Sequence, residues 1–139
     1  MKQKDRRKRQ RGAVFVETGL VFTAFAFMLI GAADFGQFLF IHQALVERGR
    51  NAARWGALSD PSNTTAIQNM VLYNQSTTGT SGYFGLTTSN VQVTNPGAGT
   101  SNSRVAILIT NYPYTILSPI IGGTYNGPNI SVTYPVSYP

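Results

Sequence analysis

The stretch that decides the fold is AVFVETGLVFTAFAFMLIGAA, residues 13–33. It holds 21 residues and one ionisable side chain, Glu17. As a helix it is roughly 31 Å long at about 1.5 Å per residue, which matches a bilayer core of about 30 Å. Helices of soluble proteins are rarely apolar all round over such a length, because one face usually meets water. The stretch therefore reads as membrane-spanning. Residues 1–11 just before it carry Lys2, Lys4, Arg6, Arg7, Lys8, Arg9 and Arg11 against Asp5. Clustered cations beside a span stay on the cytoplasmic side, so the N-terminus is expected inside and the rest of the chain outside.

Outward from residue 33 the helical pattern continues but becomes amphipathic. Phe35, Phe38, Leu39, His42, Leu45, Val46, Gly49, Ala52, Ala53 and Gly56 recur at three- and four-residue spacing, while Glu47, Arg48, Arg50 and Arg54 avoid that stripe. The stripe passes from large to small residues, so its last turns can approach another backbone closely. Asp60-Pro61 stops it, since a residue before proline disfavours the α region. One helix over residues 13–58 is expected, with its first half in lipid.

Residues 59–139 are rich in Ser, Thr, Asn, Gly, Tyr and Pro. A short helix over residues 64–73, capped by Ser62 or Asn63, is expected, followed by a loop over 79–85. Strands are expected at 91–94, 104–111 and 130–134, the middle one a β-branched run. Pro113, Pro119 and Pro128 are expected to break the connection to the last strand. The outcome is an α+β fold: a long transmembrane-plus-amphipathic helix packed on three or four antiparallel strands.

Composition narrows the function. The 139 residues suffice for one domain. A net charge of +6 suggests nucleic acid, but from Gly12 onward Arg48, Arg50, Arg54 and Arg104 balance Glu17, Asp34, Glu47 and Asp60. No basic face remains, and no nucleic-acid partner is expected. The absence of Cys excludes disulfides, thiolate metal sites and thiol nucleophiles. After Asp60 the only Lys, Arg, His, Asp or Glu is Arg104. General acid–base catalysis needs positioned groups of that kind, so no catalytic residues, no cofactor and no metal are expected. His42, without a second His nearby, reads as a packed histidine. Tyr112, Tyr114, Tyr125, Tyr134 and Tyr138 read first as core and strand-pair residues. The sequons at Asn63, Asn74 and Asn129 are given no role.

The most informative local signal is Gly12-Ala13-Val14-Phe15-Val16-Glu17, where the basic leader meets the apolar run. A carboxylate inside a spanning helix costs about 2.5–3.5 kcal/mol on insertion scales and so demands a partner. Cleavage after Gly12 would create one, the free amine of Ala13. This arrangement resembles the prepilin processing signature of type IV pilins. Gly31-Ala-Ala-Asp34-Phe-Gly36, then Gln43-Ala-Leu45, then Asn51-Ala-Ala-Arg54-Trp-Gly56-Ala57 look like the TadE-like pilus proteins. The resemblance extends more loosely over residues 104–134. It implies a leader, residues 1–12, removed by a prepilin peptidase. It also implies a mature terminus at Ala13, often methylated, and Glu17 as the acid that docks the subunit into an assembly. The partners it implies are that peptidase and other pilin or pseudopilin subunits, met through the N-terminal helix in a filament or assembly platform. The location implied is the bacterial cytoplasmic membrane, with residues 59–139 outside, or an extracellular pilus. Two departures stand out: residues 18–30 hold no proline, so the helix should be less kinked, and Gln37 stands where the family commonly has Arg. Asp34, Gly49, Ala53 and Gly56 are candidates for helix packing. Two other readings compete. An ordinary signal peptide would be cut before Asp34, and a plain anchor would keep all its residues.

Overall fold

The structure, a computed structural model, describes residues 2–118 and 122–136, with residues 2–13 described by their backbone alone. Helix α1 runs Lys2–Leu58 without a break. It starts earlier than the sequence pattern required, because the Lys, Arg and Gln of the leader are good helix formers. The first half of α1 stands free of the rest of the chain: Phe15, Leu20, Phe22 and Met28 are each at least 70% exposed. It is long and apolar enough to cross a membrane, and its most apolar window has no residue buried inside this chain.

The second half of α1 forms one layer of a small α+β head. Ile41, Leu45, Ala52, Ala53 and Ala57 are buried. The stripe read from the sequence is corrected at its start: Phe35 is 62% exposed, Leu39 is 37% exposed, and Ile41 is buried instead. The head closes fully over α1 only from about Ile41 onward; nearer the N-terminus Phe38 is half-buried against the head and Phe35 is left exposed. Below the C-terminus of α1, Asp60 Oδ1 accepts from the Ser62 hydroxyl at 2.6 Å and the Ser62 N–H at 2.9 Å. Those two bonds, the hydroxyl first, hold the Asp60 carboxyl below its usual range.

Helix α2, Thr64–Tyr73, follows as expected. Of the two candidate caps, Asn63 serves: its Oδ1 accepts from the Ala66 N–H at 3.0 Å. The helix ends at Asn74, which adopts the left-handed conformation and donates its N–H to Met70 at 3.2 Å. Gly56 of α1 makes the close approach possible, since a Cβ there would lie 2.5 Å from Ile67 Cδ1.

Strands β1 (Val91–Thr94), β2 (Arg104–Ile109), β3 (Pro113–Ile116), β4 (Gly123–Asn126) and β5 (Ile130–Pro135) complete the head. β1, β2 and β5 form one antiparallel sheet in the order β1-β2-β5, with Ile109 opposite both Val91 and Ile130. Alternation along β2 buries Val105, Ile107 and Ile109 toward the helices, each contributing about 1.5–3 kcal/mol by burial. β2 stops at Ile109, two residues short of the expected end. Thr110 turns its N–H to Asn90, and Asn111 takes a positive φ of 51°.

The expected break between β2 and the last strand is corrected. Pro113 does not interrupt the chain; it opens β3, which pairs with β4 in a separate antiparallel hairpin, Tyr114 opposite Tyr125. Proline is tolerated there because it occupies the first residue of an edge strand. Pro128 lies between β4 and β5, while Pro119 and Tyr138 fall outside the described residues.

Candidate functional site: the bare helix and its junction with the head

Two regions carry the candidate residues. On the bare half of α1, Thr18 and Thr23 donate their hydroxyls to the carbonyls of Val14 and Gly19, at 2.9 and 2.8 Å. Such back-bonding satisfies a hydroxyl within its own helix, so neither side chain needs an external partner. Glu17 differs. It is exposed, and it has no hydrogen bond or ion pair among the described residues. The backbone of Gly12 and Ala13 is helical, and their side-chain surroundings lie outside what is described. Ala13 and Glu17 are spaced i and i+4, so they occupy one face about 6 Å apart along the axis.

At the junction, β3 runs down α1 in step with its turns. Tyr112, just before β3, is fully buried and its hydroxyl lies 2.8 Å from His42 Nδ1. Burial, with the nearby Tyr114 second, pushes the Tyr112 hydroxyl above its usual pKa. One helical turn nearer the N-terminus of α1, Tyr114 packs on Phe38 with ring centroids 5.0 Å apart. One further turn down, Asp34 meets the end of the strand. Its Oδ1 accepts from the Leu117 N–H at 2.6 Å and its Oδ2 from the Ser118 N–H at 3.2 Å. Asp34 is thus occupied within this chain. His42 is a packed histidine between Phe38 and Tyr112. Gly49, Ala53 and Gly56 are buried inside the head, Gly49 against Val132 of β5 and Gly56 against Ile67 of α2.

Sequence reasoning missed the Asp34–Leu117–Ser118 and His42–Tyr112 pairs. The one available signal was the spacing of Asp34, Phe38 and His42 on one helix face, which gives no hint of what meets it.

The remaining surface offers little to chemistry. Arg48 lies over the Tyr83 ring, 4.1 Å from its centroid, and Arg50 pairs with Glu47 at 2.9 Å on the exposed face. A shallow groove of about 460 Å³ runs between α1 and β5, bordered by Arg50, Arg54, Val132 and Tyr134. Beside Asp34 lies a smaller hollow of about 290 Å³, lined by Phe35, Phe38, Tyr114 and Ile116. Among the described residues no three His, Asp or Glu side chains converge. Compared with known proteins, the chain matches no family model, no curated protein and no solved structure.

Proposed function

We propose that the chain is a non-catalytic, pilin-like membrane subunit of the TadE-like kind. In this reading a prepilin peptidase cuts after Gly12, and the mature chain assembles with other pilin or pseudopilin subunits through its N-terminal helix. The observation that carries the reading is Glu17, without a partner among the described residues, on the bare half of a helix whose other half packs one face on the head. An apolar helix half without internal contacts must be covered by lipid or by neighbouring subunits. A carboxylate in that setting needs a counter-charge, and the Ala13 amine freed by processing supplies it on this subunit or the next. The basic leader fixes the head outside the cytoplasmic membrane of a bacterium, from which the subunit enters a pilus or its assembly platform.

The experiment is Glu17→Val in the native cell. The variant is expected to insert and to be processed like the wild type, because neither step needs the carboxylate. Its recovery in complexes with other subunits should fall by at least about 100-fold, since breaking a buried charge pair costs about 3–5 kcal/mol. Undiminished recovery would remove Glu17 from the assembly mechanism.

A further inference from the structure

The hairpin of β3 and β4 has no role in the account so far, yet it is the part of the head nearest the bare helix. The three matched steps along α1, Tyr112 at His42, Tyr114 at Phe38 and Leu117 at Asp34, show that β3 points toward the apolar run. Asp34 directly follows the last residue of that run. The interfacial layer of a bilayer extends about 5–7 Å beyond the hydrocarbon core on each side. A backbone amide 2.6 Å from the Asp34 carboxylate lies within that layer whenever the apolar run spans the core.

The chemistry of the hairpin end fits that position. Leu117 is 65% exposed, as is Phe35 to a similar degree on the adjacent helix face. Tyr114 lies beside Phe35, and Tyr125 stands opposite Tyr114 on β4 with ring centroids 6.0 Å apart. Residues 105–136 contain no Lys, Arg, His, Asp or Glu, so no charge opposes entry. Tyrosines at the headgroup level with aliphatic side chains just below are the usual dress of a membrane-interface segment. Both carboxylate oxygens of Asp34 are taken by the hairpin backbone, which settles how deep the strand end sits.

We propose that the chain just after β3, at Leu117 and Ser118, rests in the outer interfacial layer of the membrane, with Leu117 against lipid and Asp34 as the positioning residue. The head is then held at two points, the helix and the hairpin, and cannot swivel freely about α1. This inference rests on the membrane-anchored reading of α1.

The chain has no cysteine, so single-cysteine spin labelling is direct. Full-length protein carrying Phe25→Cys, Ser101→Cys or Leu117→Cys is labelled with a nitroxide in phosphatidylethanolamine–phosphatidylglycerol vesicles. Its exposure to oxygen and to a water-soluble nickel chelate is then measured. The Phe25 label should be lipid-exposed and the Ser101 label aqueous. The Leu117 label should be at least about threefold less exposed to nickel than Ser101, as fits a site within about 5–10 Å of the headgroup–acyl boundary. Adding Asp34→Ala should move the Leu117 label into water. An aqueous Leu117 label beside a lipid-exposed Phe25 label would overturn the inference and leave the span intact. An aqueous Phe25 label would overturn both. A Leu117 label unmoved by Asp34→Ala would overturn the positioning role of Asp34.

Discussion

Gly127→Ala is expected to lower the thermal midpoint of the head on the order of 15 °C, corresponding to about 3 kcal/mol for a domain of this size. A Cβ at Gly127 would overlap the ring carbons of Tyr112. That ring has no room to move: it is fully buried, and its hydroxyl is held at His42. The backbone cannot retreat either, because the Gly127 N–H donates to the Tyr112 carbonyl at 2.8 Å. The added methyl must therefore push the end of β4 away from Tyr112 and β3, or expel Tyr112 from the core. The matching control is Gly36→Ala, where nothing lies within 4 Å of the new Cβ. Alanine there favours the helix by about 0.5–1 kcal/mol and should leave the midpoint unchanged or raised. Near-UV circular dichroism of the full chain in detergent reads both. A shift of less than about 3 °C for Gly127→Ala would contradict the packing described for Tyr112.

On the proposed pilin-like reading, Gly12→Val is expected to abolish maturation, reducing the processed fraction on the order of 100-fold, about 2.7 kcal/mol in the cleavage step. The bond after Gly12 lies inside α1, so a peptidase must unwind the helix locally to reach it. Glycine unwinds readily, at about 1 kcal/mol below alanine in helix preference. Valine adds a β-branched side chain at the scissile position and stiffens it. The substitution leaves the leader charges and the apolar run intact, so insertion should be unaffected. Mass analysis of the membrane fraction should find full-length chain only. Normal processing of Gly12→Val would count directly against cleavage at that bond.

The parts of the fold that were legible in the sequence are those set by local pattern. The apolar run, the amphipathic continuation, the helix over residues 64–73 with Ser62 or Asn63 as its cap, and the β-branched run beginning at Arg104 each carry a periodicity or a cap that needs no tertiary knowledge. The β3–β4 hairpin was not legible. Its residues mix Pro, Tyr, Thr, Gly and Asn without alternation, and what orders them is contact with Phe38 and Asp34 from far along the chain. Gly127 is invisible for the same reason: its importance lies in where the Tyr112 ring goes. Asp34 was legible as an acid near the membrane boundary, but its partners are 83 and 84 residues away. Glu17 is the opposite case. The sequence singled it out by spacing and cost, and the head leaves it without a partner, so its role turns on what surrounds the bare helix.

The most direct test of the central claim is the N-terminus of the protein taken from its native membranes, read by intact mass and terminal peptide. Processing after Gly12 predicts a chain that begins at Ala13, with or without a methyl group on its amine, and retains the whole apolar helix. A chain beginning at Met1 or at Asp34 would contradict it, the first leaving an uncleaved anchor and the second a secreted head that has lost Glu17.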